Sequence, residues 1–167
     1  KGALNNNITI ISGGPGTGKT TIINAIVKLY IEKEKLGSAD IMETIALLAP
    51  TGRAAKKMNS STGIPAYTIH RYLKWYKDSN EFVYNEFNKT HHKLIIVDEV
   101  SMIDVDLFNA LLNGINSNIK LILVGDTFQL PSVGPGLVLN ELIESDYFNY
   151  IPLNQIYRQS DNSYIPF

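Results

Sequence analysis

The chain has 167 residues, of which 44% are hydrophobic and 19% charged, and its formal net charge is −1. This is the composition of one ordinary globular domain, large enough to bury roughly 68–70% of its unfolded surface. The absence of cysteine excludes disulfides and thiolate zinc sites, and no apolar run approaches the length of a membrane span. The near-zero charge gives no global signal for nucleic acid, so any DNA binding must come from a local patch.

In chain order, the apolar β-branched run Ile8–Ser12 predicts a strand and Lys19–Lys35 a helix, with Gly37 as its C-cap. A strand over Thr44–Ala49 and a helix over Arg53–Asn59 follow, then a helix over Ile69–Tyr76. Residues 77–92 are irregular, and Glu81–Asn85 reads as a short strand or a surface loop. A strand at Lys93–Asp98 precedes a helix at Val105–Ile115, with Asp104 and Asp106 as acids at its N-terminus. A strand at Lys120–Gly125, a sharp turn at Val133–Gly136, a helix at Gly136–Glu144 and a weaker strand at Tyr150–Leu153 complete the pattern. The strands are continuous apolar runs, as in parallel sheets covered on both faces. Strand–helix alternation then predicts an α/β doubly wound sheet, with ligands beyond the carboxyl ends of its strands.

Residues 13–20 read Gly-Gly-Pro-Gly-Thr-Gly-Lys-Thr, a complete phosphate-binding loop between a strand and a helix, the signature of a P-loop NTPase. Its glycines let backbone N–H groups turn towards a triphosphate, and the helix N-terminus adds its dipole. Gly14, Pro15, Gly16, Thr17, Gly18, Lys19, Thr20 and Thr21 are the expected nucleotide-binding residues, with ATP and Mg²⁺ as cofactors. Lys19 would reach the β and γ phosphates, and the Thr20 hydroxyl would hold Mg²⁺. The strand Leu94–Val97 ends in Asp98 and Glu99: Asp98 is placed to hold Mg²⁺ with Thr20, and Glu99 to deprotonate the attacking water. Gln129, after the next strand, reads as a sensor of the γ-phosphate or as a polar loop residue. Arg158 reads on its own as a surface arginine, although such a group can stabilise a transferring phosphoryl.

Four segments occur in order: Gly13–Thr20, Ala-Pro-Thr-Gly-Arg-Ala-Ala at 49–55, Val-Asp-Glu-Val-Ser-Met at 97–102, and Gly-Asp-Thr-Phe-Gln-Leu-Pro-Ser-Val-Gly-Pro-Gly at 125–136, followed by Tyr-Arg-Gln at 157–159. The chain resembles the first RecA-like domain of superfamily 1 DNA helicases, most similarly the RecD family (the exodeoxyribonuclease V alpha subunit and its stand-alone relatives). The resemblance covers nearly the whole chain. It implies a 5′-to-3′ motor in repair or recombination, in which Gln129 senses the γ-phosphate and Arg158 contacts it. Pro50, Thr51, Gly52 and Arg53 would contact single-stranded DNA, with Thr68 and His70 in a second DNA-facing segment. Arg53, Lys56, Lys57, Arg71 and Lys74 could add a basic surface or a solvated face; Tyr67, Tyr72, Trp75 and Tyr76 read as packing aromatics.

The chain begins without Met and is expected to be a piece of a longer bacterial cytoplasmic helicase. The family's adenine-reading glutamine would lie before Lys1, and the implied partners are a second RecA-like domain, single-stranded DNA and nuclease or helicase subunits, with no membrane. A conjugative relaxase-helicase, or a nucleotide-binding switch or scaffold without turnover, are the competing readings.

Overall fold

The computed structural model describes residues 2–4, 6–129 and 134–154; Arg158 lies outside them. After a single 3₁₀ turn at Gly2–Leu4 come β1 (Ile8–Gly13), α1 (Lys19–Glu34), α2 (Ser38–Thr44), β2 (Ile45–Ala49), α3 (Gly52–Thr62), β3 (Ala66–Thr68) and α4 (Ile69–Tyr72). A two-stranded hairpin, β4 (Trp75–Tyr76) with β5 (Glu81–Phe82), leads to β6 (Leu94–Val97). A 3₁₀ turn at Val100–Met102, α5 (Val105–Gly114), β7 (Lys120–Gly125), α6 (Val138–Glu144) and β8 (Asn149–Leu153) follow.

Six strands form one sheet in the order β3-β2-β6-β7-β1-β8, and every neighbouring pair is parallel. Because successive side chains point to opposite faces, each strand feeds two cores. Ile10, Leu48, Ile95, Val97 and Leu123 pack with Ile69 and Leu73, Leu111 of α5 and Leu139 of α6. Ile11, Leu47, Ile96, Ile122 and Val124 pack with Ile23, Ile26 and Val27 of α1 and Met58 of α3. Helices therefore cover both faces, which is the doubly wound RecA-like α/β architecture of a P-loop NTPase. Among the described residues no helix is long and apolar enough to cross a membrane.

Three local expectations are corrected. Helix α1 ends at Glu34 and is capped by Lys35, itself left-handed (φ 53°), and Gly37 instead stands before α2 at φ −74°, where it needs no glycine freedom. The helix expected over Ile69–Tyr76 stops at Tyr72, because Lys74 turns left-handed (φ 54°) and Trp75 pairs with Phe82 across the hairpin, ring centroids 4.6 Å apart. The final helix starts at Val138 rather than Gly136. Strand β3 and helix α2 have too few residues to show a period, and no expectation covered them.

Candidate nucleotide site

All strands of the sheet run the same way, so their carboxyl ends share one rim. The loops after β1, β6 and β7 meet there with α3 around a cleft of about 610 Å³. Its walls include Pro15–Thr21, Asp98, Glu99 and Gln129, so the nucleotide loop and the catalytic candidates among the described residues converge. Gly14 is off the wall; its carbonyl accepts the Thr17 hydroxyl at 2.7 Å.

The loop's glycines have distinct duties. Gly16 (φ 73°) and Gly18 (φ 86°) are left-handed, which most side chains resist. At Gly13 the constraint is space: an added Cβ would lie 2.4 Å from Thr17 Oγ1 and 2.9 Å from Leu153 Cβ. Gly18 caps α1 without a side-chain acceptor, so the first-turn N–H groups are left to a ligand, as in anion sites. Lys19 Nζ donates to the carbonyls of Gly13 (2.6 Å) and Gly14 (2.9 Å).

The carboxylates are presented by an unusual turn. Asp98 Oδ1 accepts the Glu99 N–H at 2.8 Å, and Glu99 itself adopts φ 55°. A glutamate in this conformation is strained by about 1–2 kcal/mol. The turn lets two successive side chains reach the same cleft, which an extended strand cannot do. Burial raises the Asp98 pKa above the usual carboxylate value, opposed by the Glu99 N–H and by Lys57 and Lys19. Burial and then the Asp98 charge raise Glu99, opposed by Lys57, Arg53 and Lys19. A carboxylate shifted upward is better matched to proton abstraction near neutral pH. Among the described residues no cluster of three or more His, Cys, Asp or Glu side chains could hold a metal ion. One carboxylate and one hydroxyl, Asp98 and Thr20, fit Mg²⁺, which keeps waters and phosphate oxygens as most of its ligands.

At the end of β7, Gly125 leaves no room for a side chain: a Cβ would lie 2.7 Å from Leu139 Cδ2 and 3.3 Å from the Ser101 nitrogen. Gln129 Oε1 accepts from Ser101 Oγ at 3.3 Å, tying its loop to the turn that carries Glu99. Two charged wall residues had no role expected from sequence at this site. Lys57 lies one helical turn beyond Arg53, a spacing that places both on one face of α3. Asp126 follows an apolar strand as Asp98 does, and that repeated pattern was a readable signal.

The DNA candidates sit beside this cleft. Pro50–Arg53 follow β2, while Thr68 ends β3 and His70 follows it; Ala49 pairs with Thr68, so the two segments leave the sheet side by side. The Thr51 hydroxyl caps α3 through the Ala54 N–H (3.2 Å), and that of Thr68 caps α4 through the Arg71 N–H (3.2 Å). His70 packs edge-on against Trp75, centroids 6.1 Å apart. Arg71 lies over Tyr67 and Lys74 over Tyr84, each 5.2 Å from the ring centre. Tyr72 is buried and Trp75 half-buried, as packing aromatics are, whereas Tyr76 is 61% exposed.

The family model described as "AAA domain" matches residues 1–135. The RecBCD enzyme subunit RecD of Mycolicibacterium smegmatis is 37% identical over 86% of this chain and 29% of its own length. The ATP-dependent RecD2 DNA helicase of Deinococcus radiodurans is 39% identical over 92% of this chain and 20% of its own. The chain thus spans less than a third of these curated relatives. The crystal structure of Pif1 helicase from Candida albicans superposes with a TM-score of 0.68 at 24% identity, covering 95% of this chain and 38% of that one. Bacteroides Pif1 bound to ssDNA gives 0.58 at 22%, covering 96% and 41%. These two likenesses speak to the fold. From the family match and the similarity over most of its length, the chain belongs to the AAA-domain family of P-loop NTPases, in its RecD-like, superfamily 1 helicase branch.

Proposed function

We propose that this chain is the ATP-binding and hydrolysing motor domain of a longer DNA helicase that moves 5′ to 3′ on single-stranded DNA in repair or recombination. The observation that carries the reading is the convergence of Lys19, Asp98, Glu99 and Gln129 on one cleft. Lys19 exchanges its two carbonyl partners for the β and γ phosphates. Thr20 and Asp98 hold Mg²⁺, which neutralises phosphate charge when bound. Glu99 takes the proton of the attacking water, and Gln129 reads the γ-phosphate while Ser101 keeps it close to Glu99. Arg158 would add charge stabilisation, a role that rests on the resemblance alone. Pro50–Arg53, Thr68 and His70 form the DNA face.

A second RecA-like domain would complete the ATP site, so the isolated chain is expected to bind Mg-nucleotide but to turn it over slowly and not to unwind DNA. The test is phosphate release from Mg-ATP by the longer helicase, with and without a single-stranded oligonucleotide, alongside Lys19→Ala. Stimulation that is abolished by the substitution supports a DNA-driven motor. Nucleotide binding without stimulated turnover would replace it with a switch or scaffold.

A further inference from the structure

Asp126 is only 1% exposed, yet it lies in a cleft built for an anion. Its two carboxylate oxygens are used differently. Oδ1 accepts the Phe128 N–H at 2.9 Å, closing a tight turn in which the Gln129 N–H also donates to the Asp126 carbonyl (3.2 Å). Oδ2 is buried without a hydrogen-bond partner and stands 3.9 Å from Lys19 Nζ. An asparagine would close the same turn without charge. A buried carboxylate costs desolvation free energy and repels incoming phosphates, so a purely structural role leaves the charge unexplained.

We propose that Asp126 is the counter-ion that positions Lys19 and transmits its displacement to the loop carrying Gln129; this rests on the nucleotide-site reading above. Two of the ammonium's three donors are held by the Gly13 and Gly14 carbonyls. Charge-assisted bonds to phosphate are about twice as strong as neutral ones, so those carbonyls are the partners Lys19 gives up. Attraction to Asp126 persists, and Lys19 is shared between ligand and carboxylate at a fixed depth. Asp126 is also the first residue of the turn that ends at Gln129. A pull on one of its oxygens reaches, through the other, the amide of Phe128. The lysine that feels the phosphates and the glutamine proposed to read them are thereby joined through one side chain.

The test compares wild type with Asp126→Asn, which keeps the turn's acceptor and removes the charge. Titration with Mg and a fluorescent ADP is expected to show roughly three- to tenfold tighter binding in D126N, because an anion beside the phosphates is gone. Hydrogen exchange of the peptide spanning 126–129 is expected to change on Mg-ADP saturation in wild type and to lose most of that change in D126N. Equal or weaker ADP binding by D126N overturns the counter-ion role, and an undiminished exchange response overturns the transmission. If D126N does not fold, Asp126→Ser supplies a neutral acceptor for the same comparison. A wild-type chain that binds no Mg-ADP would sink the nucleotide-site reading and this inference with it, whereas normal wild-type binding with an unaltered variant sinks this inference alone.

Discussion

Replacing Lys19 by alanine should destabilise the empty domain as well as remove a phosphate ligand. Lys19 Nζ makes two short bonds to loop carbonyls and lies 3.9 Å from the buried Asp126 carboxylate. At that separation two unit charges attract by about 4 kcal/mol at an effective dielectric constant of 20. Lys19 is 18% exposed, and desolvation of the pair takes back much of this attraction. A coupling of about 1–3 kcal/mol between the two side chains is therefore expected. Lys19→Ala alone should lose roughly 2–4 kcal/mol of stability, because it leaves a buried charge uncompensated. Asp126→Asn alone should be close to neutral, and the double variant should recover most of the loss. Urea unfolding of the four proteins without nucleotide, followed by circular dichroism, measures the cycle. Losses that add to within about 0.5 kcal/mol would refute the pair as an energetic unit. If coupling is found, missing activity in a Lys19 variant has to be read against the folded fraction.

Glu99→Gln should raise the unfolding midpoint of the magnesium-free chain at neutral pH and abolish turnover in the longer helicase. The upward-shifted pKa values of Asp98 and Glu99 mean that their ionisation opposes folding as pH rises through the folded values; a midpoint below wild type contradicts this. Lys57→Ala should weaken Mg-ATP binding several-fold while leaving oligonucleotide binding unchanged, and the reverse pattern would return Lys57 to the DNA face. Gly125→Ala should cost about 1–3 kcal/mol, since the new methyl meets Leu139 and the Ser101 backbone; a wild-type melting curve would show that the turn yields freely. Burial and the neighbouring His91 hold the pKa of His92 below the usual imidazole value. Its neutral form therefore favours the fold above the unfolded-state pKa, and that stability is lost as pH falls through the folded one. Stability should decline below about pH 6.5, by at most about 1.4 kcal/mol per pH unit from this group, and His92→Gln should flatten the slope.

The sheet was legible because its strands are apolar on both faces, and β1, β2, β6 and β7 each read as an unbroken run. The convergence of Lys19, Asp98, Glu99 and Gln129 followed from their places just beyond strand ends in a parallel sheet. Short elements were not legible: the three residues of β3 and two of β4 are fixed by partners distant in sequence, and local propensity cannot carry them. That Lys57 lines the cleft was not legible, because charge alone does not say which side of α3 meets it. The left-handed Glu99 was hidden because glutamate carries no preference for that conformation. It goes with tertiary surroundings: the buried Val100, the Asp98–Glu99 hydrogen bond and the Met102 N–H donated to the Glu99 carbonyl.

The position of β1 in the sheet has a consequence for how the protein is made. This strand and its glycine loop are synthesised before both of their sheet neighbours: Ile8 pairs with Leu121 of β7, and Thr9 with Asn149 of β8. At about 5–20 residues per second, roughly 5–25 seconds separate translation of β1 from that of its first partner. Throughout that interval the Ile8–Ile11 run lacks both of its sheet neighbours, and closing so long a loop is slow. Translation pauses before β7, or variants that weaken β7 and β8, should therefore expose an aggregation-prone strand in the nascent chain, and nucleotide can assist folding only after nearly all of the sheet has been synthesised.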